Sequence, residues 1–274
     1  MKAMIFAAGM GTRLKPLTDT TPKALVSICD KPLLAHVLDK LEAEGVDSFV
    51  VNVHHFAEQI KKYLEDNKEK YPNVAISDES EELLETGGGI RKAEKMLKGD
   101  SFLVHNVDIL SNLDVKDFIE HEHANALATL LVSERETSRY LLFDDDMRLV
   151  GWTNVSTGEV RSADPDIDPT KCHKYAFSGI HIISDEIFDA FRDIDQIPEF
   201  YPIWQWKDGH GPIMTGGEHL GARFPIMDFY LRASEEYPIY GVVSDNLKLI
   251  DVGKFDHLSE AEELCKTLSE EGTL

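Results

Sequence analysis

Residues 5–25, IFAAGMGTRLKPLTDTTPKAL, constrain the fold more than any other stretch of this chain. Ile5, Phe6, Ala7 and Ala8 form an apolar run that reads as a buried strand, and the run stops at Gly9-Met10-Gly11. Two glycines let the backbone bend tightly, and without Cβ atoms a ligand can lie close against it. Arg13, Lys15 and Lys23 then place three positive charges just past the turn. A buried strand that ends in a glycine turn and clustered cations implies an α/β sheet with a site for a nucleoside triphosphate at the strand's carboxyl end. Two better-known phosphate loops are excluded. A dinucleotide-binding GxGxxG needs a glycine where this chain has Leu14, and no GxxxxGK[ST] occurs.

Charge supports an anionic ligand at this end. The chain has 28 basic and 50 acidic residues, a net of −22. Residues 1–31 run the other way, with five basic side chains (Lys2, Arg13, Lys15, Lys23, Lys31) against Asp19 and Asp30. An acidic body repels nucleic acid and acidic membranes, so neither is expected as a partner, and a local basic pocket suits a small phosphate compound. The 274 residues suffice for one large domain. No apolar stretch approaches 18 residues, and the chain begins on a strand rather than a leader, so a cytoplasmic enzyme is expected. Cys29, Cys172 and Cys265 lack disulfide or zinc spacing and read as reduced thiols.

Hydrophobic periodicity predicts strands near 2–7, 48–53, 74–78 and 101–107, with helices over about 31–44, 56–69 and 88–97. That alternation implies parallel strands joined by helical crossovers. The fold class expected is therefore α/β, a Rossmann-like, mixed but mainly parallel sheet flanked by helices. From about 126 the pattern changes to strands and hairpins (126–134, 140–143, 148–153, 174–183), which predicts a small β-rich insertion. A final helix, about 254–270, carries Leu258, Ala261, Leu264 and Leu268 on one face. The organisation expected is a single domain over 1–274, with a nucleotide-binding half (1–125), a β-rich half (126–253) and a C-terminal helix (254–274).

The first segment resembles the signature of the sugar-nucleotide pyrophosphorylases, or sugar-1-phosphate nucleotidyltransferases, roughly GxGTRLxPLTxxxPKxL. Gly9, Gly11, Thr12, Arg13, Leu14, Pro16, Leu17, Thr18, Pro22, Lys23 and Leu25 fit it, and Ala24 stands where many members have a second proline. LLETGGGIRKA (83–93) resembles the ETGGGI segment of N-acetylmuramate-1-phosphate uridylyltransferases and related guanylyltransferases. Three glycines opening a helical stretch are expected to leave backbone N–H groups uncovered for a base, ribose or phosphate. The resemblance places Ala7, Ala8, Gly9, Gly11, Thr12, Arg13, Glu85, Thr86, Gly87 and Gly88 around the nucleotide, with Gly89 beside the base.

Two further motifs end strands on aspartates. SFLVHNVDIL (101–110) resembles the family's apolar strand followed by NGD, with Val107 in place of the glycine. LKLIDVGKFDHLSEAE (247–262) resembles its WxDVGTxExLxxAE closing motif, with Leu249 for the aromatic and Lys254 for threonine. The resemblance makes Asp108 and Asp251 ligands of Mg²⁺, a hard cation that shares oxygens with phosphates. YAFSGIHII (175–183) resembles the family's FSGI strand, which assigns Gly179, with Lys23 and Asn106, to the sugar phosphate. The family's Glu-Lys-Pro is missing before it, as in the muramate-type branch. Residues 200–225 read as a packed surface loop, with a flap or homodimer contact as the other use.

The reaction implied is transfer of a nucleoside monophosphate from an NTP to a sugar 1-phosphate, with release of pyrophosphate. Arg13, Lys23 and Asp108 carry the chemistry. UTP with N-acetylmuramate 1-phosphate is the favoured pair, and GTP with mannose or heptose 1-phosphate is the alternative. A non-catalytic pyrophosphorylase-like subunit is more distant, because Lys23, Asp108 and Asp251 are all present. A phosphocholine cytidylyltransferase would share the first motif but not ETGGGI.

Overall fold

The computed structural model describes residues 1–207, 212–215, 217–244 and 246–273. The chain forms two compact units. The first comprises Met1–Leu83, Lys95–Glu120 and Asp245–Leu274; the second comprises Leu84–Glu94 and His121–Ser244.

The first unit is built on four parallel strands in the order Phe102–Asn106, Lys2–Phe6, Ser48–Val53 and Val74–Asp78. Their residues are mostly apolar in succession rather than alternating, as expected of strands covered on both faces. Met4, Ile5, Val51 and Leu103 are fully buried. Helix Leu33–Ala43 supplies Leu33, Leu34, Leu38 and Leu41 to this core, and helix Ala57–Asp66 supplies Ile60 and Leu64. The strand Lys2–Phe6 has one partner on each side, so the strand order reverses at its carboxyl end. That is where open α/β sheets bind ligands.

Two short antiparallel pairs complete this unit. Ser27–Ile28 pairs with Lys31–Pro32 across Cys29-Asp30, both in the left-handed region (φ 48° and 61°), as a tight hairpin turn requires. Ile109–Ser111 pairs with Leu249–Asp251. The helix Leu258–Glu271 buries Ala261, Cys265 and Leu268 and ends at Gly272 (φ 71°). Leu258 and Leu264, expected on its apolar face, are only half-buried. None of the helices in the described residues is long and apolar enough to cross a membrane.

The second unit carries a mixed sheet. His173–Ile183 is its shared strand: Tyr175 and its neighbours pair with Arg139–Phe143, while the later part pairs with Ala128–Ser133. A register shift between Phe177 and His181 falls at Gly179, whose φ of 75° a side chain would strain. Ala128–Ser133 pairs in parallel with Ile239–Val243. From Arg139–Phe143 the sheet continues through Leu149–Asn154, Glu159–Ser162 and Trp204–Trp206 to Ile213–Met214.

Two helices not predicted from the sequence, Ile187–Gln196 and Ile226–Ala233, follow the stretch read as strands and hairpins. The expected helix 88–97 is instead two helices, Glu85–Lys92 and Glu94–Leu97. The α/β, Rossmann-like class stands, with the run of four parallel strands in the first unit and the β-rich insertion in the second.

Candidate active site

Four charged groups named from the sequence meet in the first unit. Asp108 follows the strand Phe102–Asn106, immediately beside the strand that delivers the glycine turn. The antiparallel pair sets Asp251 opposite Ile109, and the Val252 amide donates to the Asp108 carbonyl at 2.8 Å. Two aspartates 143 positions apart in sequence are thereby fixed by backbone bonding. The Lys23 ammonium, on a buried side chain, pairs with Asp108 and stands 4.0 Å from Asp251 Oδ1.

Asp251 Oδ1 is buried and has no hydrogen-bond partner. Burial, and next the neighbouring Asp108 carboxyl, push the Asp251 carboxyl above its usual range, while Lys23 and Arg13 pull it back. An orphaned carboxyl oxygen beside a second carboxyl is a donor set for a cation. No group of three His, Cys, Asp or Glu side chains that could hold a metal occurs among the described residues. Two protein carboxyls therefore leave the remaining positions to water and substrate oxygens, which fits Mg²⁺ and not a protein-enclosed cation.

Gly253 explains how Arg13 joins this group. A Cβ there would lie 2.5 Å from Asp251 Oδ1 and 3.1 Å from the Arg13 guanidinium. The missing side chain leaves room for both. Arg13 is itself exposed, on the short helix Thr12–Leu14 that follows the glycine turn.

The turn's two glycines serve different ends. Gly11 is left-handed (φ 61°), and a Cβ would strike Thr18 at 2.9 Å, so the fold requires it. Thr18 Oγ1 also donates to the Gly11 carbonyl at 2.8 Å. A Cβ at Gly9 would meet nothing within 4 Å. Packing does not demand a glycine there, whereas the close approach of a ligand would.

Ala7 and Ala8 are almost fully buried, and both amides donate to Asn52 Oδ1, at 2.8 and 3.3 Å. Thr12 is exposed. Asn106 is half-buried at the end of its strand, and Val107, at the family's glycine position, is buried with the core.

The remaining site candidates belong to the second unit. Helix Glu85–Lys92 packs its glycines against residues 222–226. A Cβ at Gly87 would lie 2.3 Å from the Phe224 ring, and one at Gly88 would lie 2.2 Å from the Ala222 carbonyl. The Gly87 and Gly88 amides both donate to the Phe224 carbonyl, at 2.9 and 3.2 Å. They are therefore satisfied within the unit rather than uncovered as the sequence suggested; the glycines serve close packing. Thr86 Oγ1 accepts the Ile226 amide at 2.8 Å, and Glu85 pairs with Arg223 at 2.7 Å. Glu85 is left-handed (φ 63°), which is uncommon for a residue with a side chain. Gly179 lies at the bulge described above. Within 200–225, residues 208–211 and 216 lie outside the described residues; the others include the strands Trp204–Trp206 and Ile213–Met214.

Sequence reasoning missed Asn52 and Gly253. Asn52 had a signal, since it is the one polar residue inside the run FVVNV at a strand's carboxyl end. Gly253 had only its place two residues after Asp251.

A family model described as nucleotidyl transferase matches residues 2–151. The chain is 45% identical over 226 residues to N-acetylmuramate alpha-1-phosphate uridylyltransferase of Neisseria meningitidis, across 81% of this chain and 90% of that protein. It is 40% identical over 145 residues to a mannose-1-phosphate guanyltransferase of Hypocrea jecorina, across 51% of this chain and 40% of that protein. Among solved structures, HddC from Yersinia pseudotuberculosis complexed with GMP-PN shares the fold, with a TM-score of 0.67 at 22% identity over 96% of this chain and 99% of that one.

Proposed function

For a chain that belongs to the nucleotidyl transferase family, as this one does, and that is a sugar-1-phosphate nucleotidyltransferase, we propose UTP as donor and N-acetylmuramate 1-phosphate as acceptor. The observation that carries the reading is the meeting of Asp108 and Asp251 with Lys23 and Arg13 at the carboxyl end of a parallel sheet. The uridylyltransferase relative, aligned across 90% of its own length, supports the choice of substrates. The second reading, a GTP-dependent mannose- or heptose-1-phosphate guanylyltransferase, draws on the guanyltransferase relative.

In the reaction a phosphate oxygen of the sugar 1-phosphate attacks the α-phosphorus of the NTP. The bond from that phosphorus to the bridging oxygen breaks, and its electrons leave with pyrophosphate. A phosphate monoester is already an adequate nucleophile, so no general base and no covalent enzyme intermediate are needed. The protein supplies positioning and charge neutralisation. Arg13 stabilises charge gathering on the departing pyrophosphate. Lys23 releases Asp108 and binds the α-phosphate or the sugar phosphate. Asp108 and Asp251 would hold Mg²⁺, whose chemistry is to neutralise phosphate oxygens and polarise the α-phosphorus.

We assign Gly9, Gly11 and Thr12 to the nucleotide, together with the backbone of Ala7 and Ala8. Glu85, Thr86, Gly87 and Gly88 are assigned to the nucleoside, and Asn106 and Gly179 to the sugar phosphate, on the likeness of their motifs. The test is calorimetric titration of UTP, GTP, CTP, ATP and dTTP at fixed Mg²⁺. UTP is expected to bind at least about tenfold more tightly than the others, because a pocket built to hydrogen-bond one base leaves polar groups unpaired with another. A preference for GTP moves the chain to the second reading; binding of no NTP overturns both.

A further inference from the structure

The first unit contains a buried polar pair that the chemistry above does not use. Glu79 is fully buried and Asn52 is 3% exposed. Asn52 Nδ2 donates to Glu79 Oε1 at 2.8 Å, while Asn52 Oδ1 accepts the Ala7 and Ala8 amides. Burying a carboxyl group and a carboxamide costs stability unless both are hydrogen-bonded, and here they are bonded to one another.

The register explains why Asn52 is in position. Strand Ser48–Val53 pairs with Lys2–Phe6, and the last partners are Phe6 and Asn52. Beyond Phe6 the chain leaves the ladder to form the glycine turn, and the Asn52 side chain takes over as acceptor for the next two amides. Glu79 is anchored from behind, because its amide donates to the Val53 carbonyl at 2.8 Å and its own carbonyl meets His54 Nδ1 at 2.7 Å. Glu79 also settles which way the carboxamide faces: an acceptor at Oε1 draws the NH₂ group, so Oδ1 is left for the turn.

We propose that the Asn52–Glu79 pair is a positioning device for the nucleotide loop, setting the path of Ala7–Gly9 and occupying the two amides of that loop nearest the sheet. Asn52 and Glu79 touch no substrate; they act through Ala7 and Ala8. The inference rests on the reading of residues 7–13 as the nucleotide loop. With the Ala7 and Ala8 amides committed to Asn52, a ligand at this loop meets their carbonyls and Cβ atoms, and finds N–H donors only further along the turn.

The test exchanges the roles of the two side chains. Asn52→Asp keeps the acceptor for the two amides but sets a carboxyl against the Glu79 carboxyl. UTP affinity should fall by about tenfold or more, and amide exchange at Ala7 and Ala8 should quicken by a similar factor, since a buried polar contact turns repulsive. Adding Glu79→Gln supplies an NH₂ group that the introduced carboxylate accepts. Both readouts should then return to within about threefold of wild type, the pairwise coupling a double-mutant cycle detects. The KM of the sugar 1-phosphate should stay level throughout, which loss of fold would not allow. Wild-type UTP affinity and exchange in Asn52→Asp, or no recovery in the double variant, would overturn the proposal. A wild-type chain that binds no UTP overturns the proposed function instead, and exchange at Ala7 and Ala8 still decides the pair.

Discussion

The Val252 amide donates to the Asp108 carbonyl at 2.8 Å, a bond that extends the antiparallel pair joining the two halves of the candidate metal site. Asp108 follows a strand of the parallel sheet by two residues, and Asp251 ends a strand contributed from near the other end of the sequence. Their separation is held by backbone bonding, so replacing one carboxyl leaves the other in place. Asp108→Asn or Asp251→Asn should each lower turnover by on the order of 10²-fold or more with Tm little changed, since each removes charge from the cation's ligands. EDTA in excess should abolish turnover in the wild type. Near-normal rates in both single variants would rule out the two-carboxyl site.

Gly253 offers a test that leaves every charged group in place. Gly253→Ala adds a methyl 2.5 Å from Asp251 Oδ1 and 3.1 Å from Arg13, so at least one of the two must shift. Because small displacements of catalytic groups are costly, turnover should fall by on the order of 10- to 100-fold. Circular dichroism and Tm should stay close to wild type. Unchanged turnover in a folded Gly253→Ala variant would show that Arg13 and Asp251 do not act together.

Glycines at two motifs should respond in opposite ways. Gly88→Ala drives a methyl to 2.2 Å from the Ala222 carbonyl, an overpacking that costs about 1–3 kcal/mol. Gly9→Ala points a methyl into open space and should leave stability within about 0.5 kcal/mol of wild type. The same Gly9 variant should weaken UTP binding, because the methyl lies where the nucleotide approaches. A stable Gly88→Ala, or a Gly9→Ala that binds UTP normally, would reverse the uses given to these glycines.

His181 gives the stability curve a calculable slope. It is fully buried beside Tyr230, with the hydroxyl 2.9 Å from Nδ1, and burial pushes its pKa from 6.5 down to about 3. Between those values the unfolded chain binds a proton that the native chain refuses. The contribution is therefore whole above pH 6.5 and is lost as pH falls toward 3, at about 1.4 kcal/mol per unit. Urea unfolding of wild type and His181→Gln should show the gap between them shrinking by that amount per unit from about pH 6 to about pH 4. A gap independent of pH would mean that His181 titrates normally.

Much of this was legible in the sequence, because local pattern and local structure agree in the first unit. The mostly apolar run at 48–53 became a strand over those same residues, since a strand covered on both faces needs no alternation. Asp108 and Asp251 could be named because the motifs around them, each an apolar strand running into a turn, resemble the family's. Their meeting could not be seen, since it depends on the register of Ile109–Ser111 with Leu249–Asp251. Helix Ile187–Gln196 buries Ile187, Phe188, Ala190, Phe191 and Ile194, a helical spacing hidden among neighbouring β-branched runs. The close packing of Gly87 and Gly88 could not be seen, because nothing local marks Phe224, more than 130 residues away, as their partner.

The transfer reaction itself is tested most directly by pyrophosphate release with UTP and N-acetylmuramate 1-phosphate, in the wild type and in the Asp108→Asn/Asp251→Asn double variant. Release should require both substrates and Mg²⁺, yield one nucleotide sugar per pyrophosphate, and fall by on the order of 10³-fold or more in the double variant. Release without an acceptor, or equal rates in the two proteins, would contradict the assignment of the reaction to these residues.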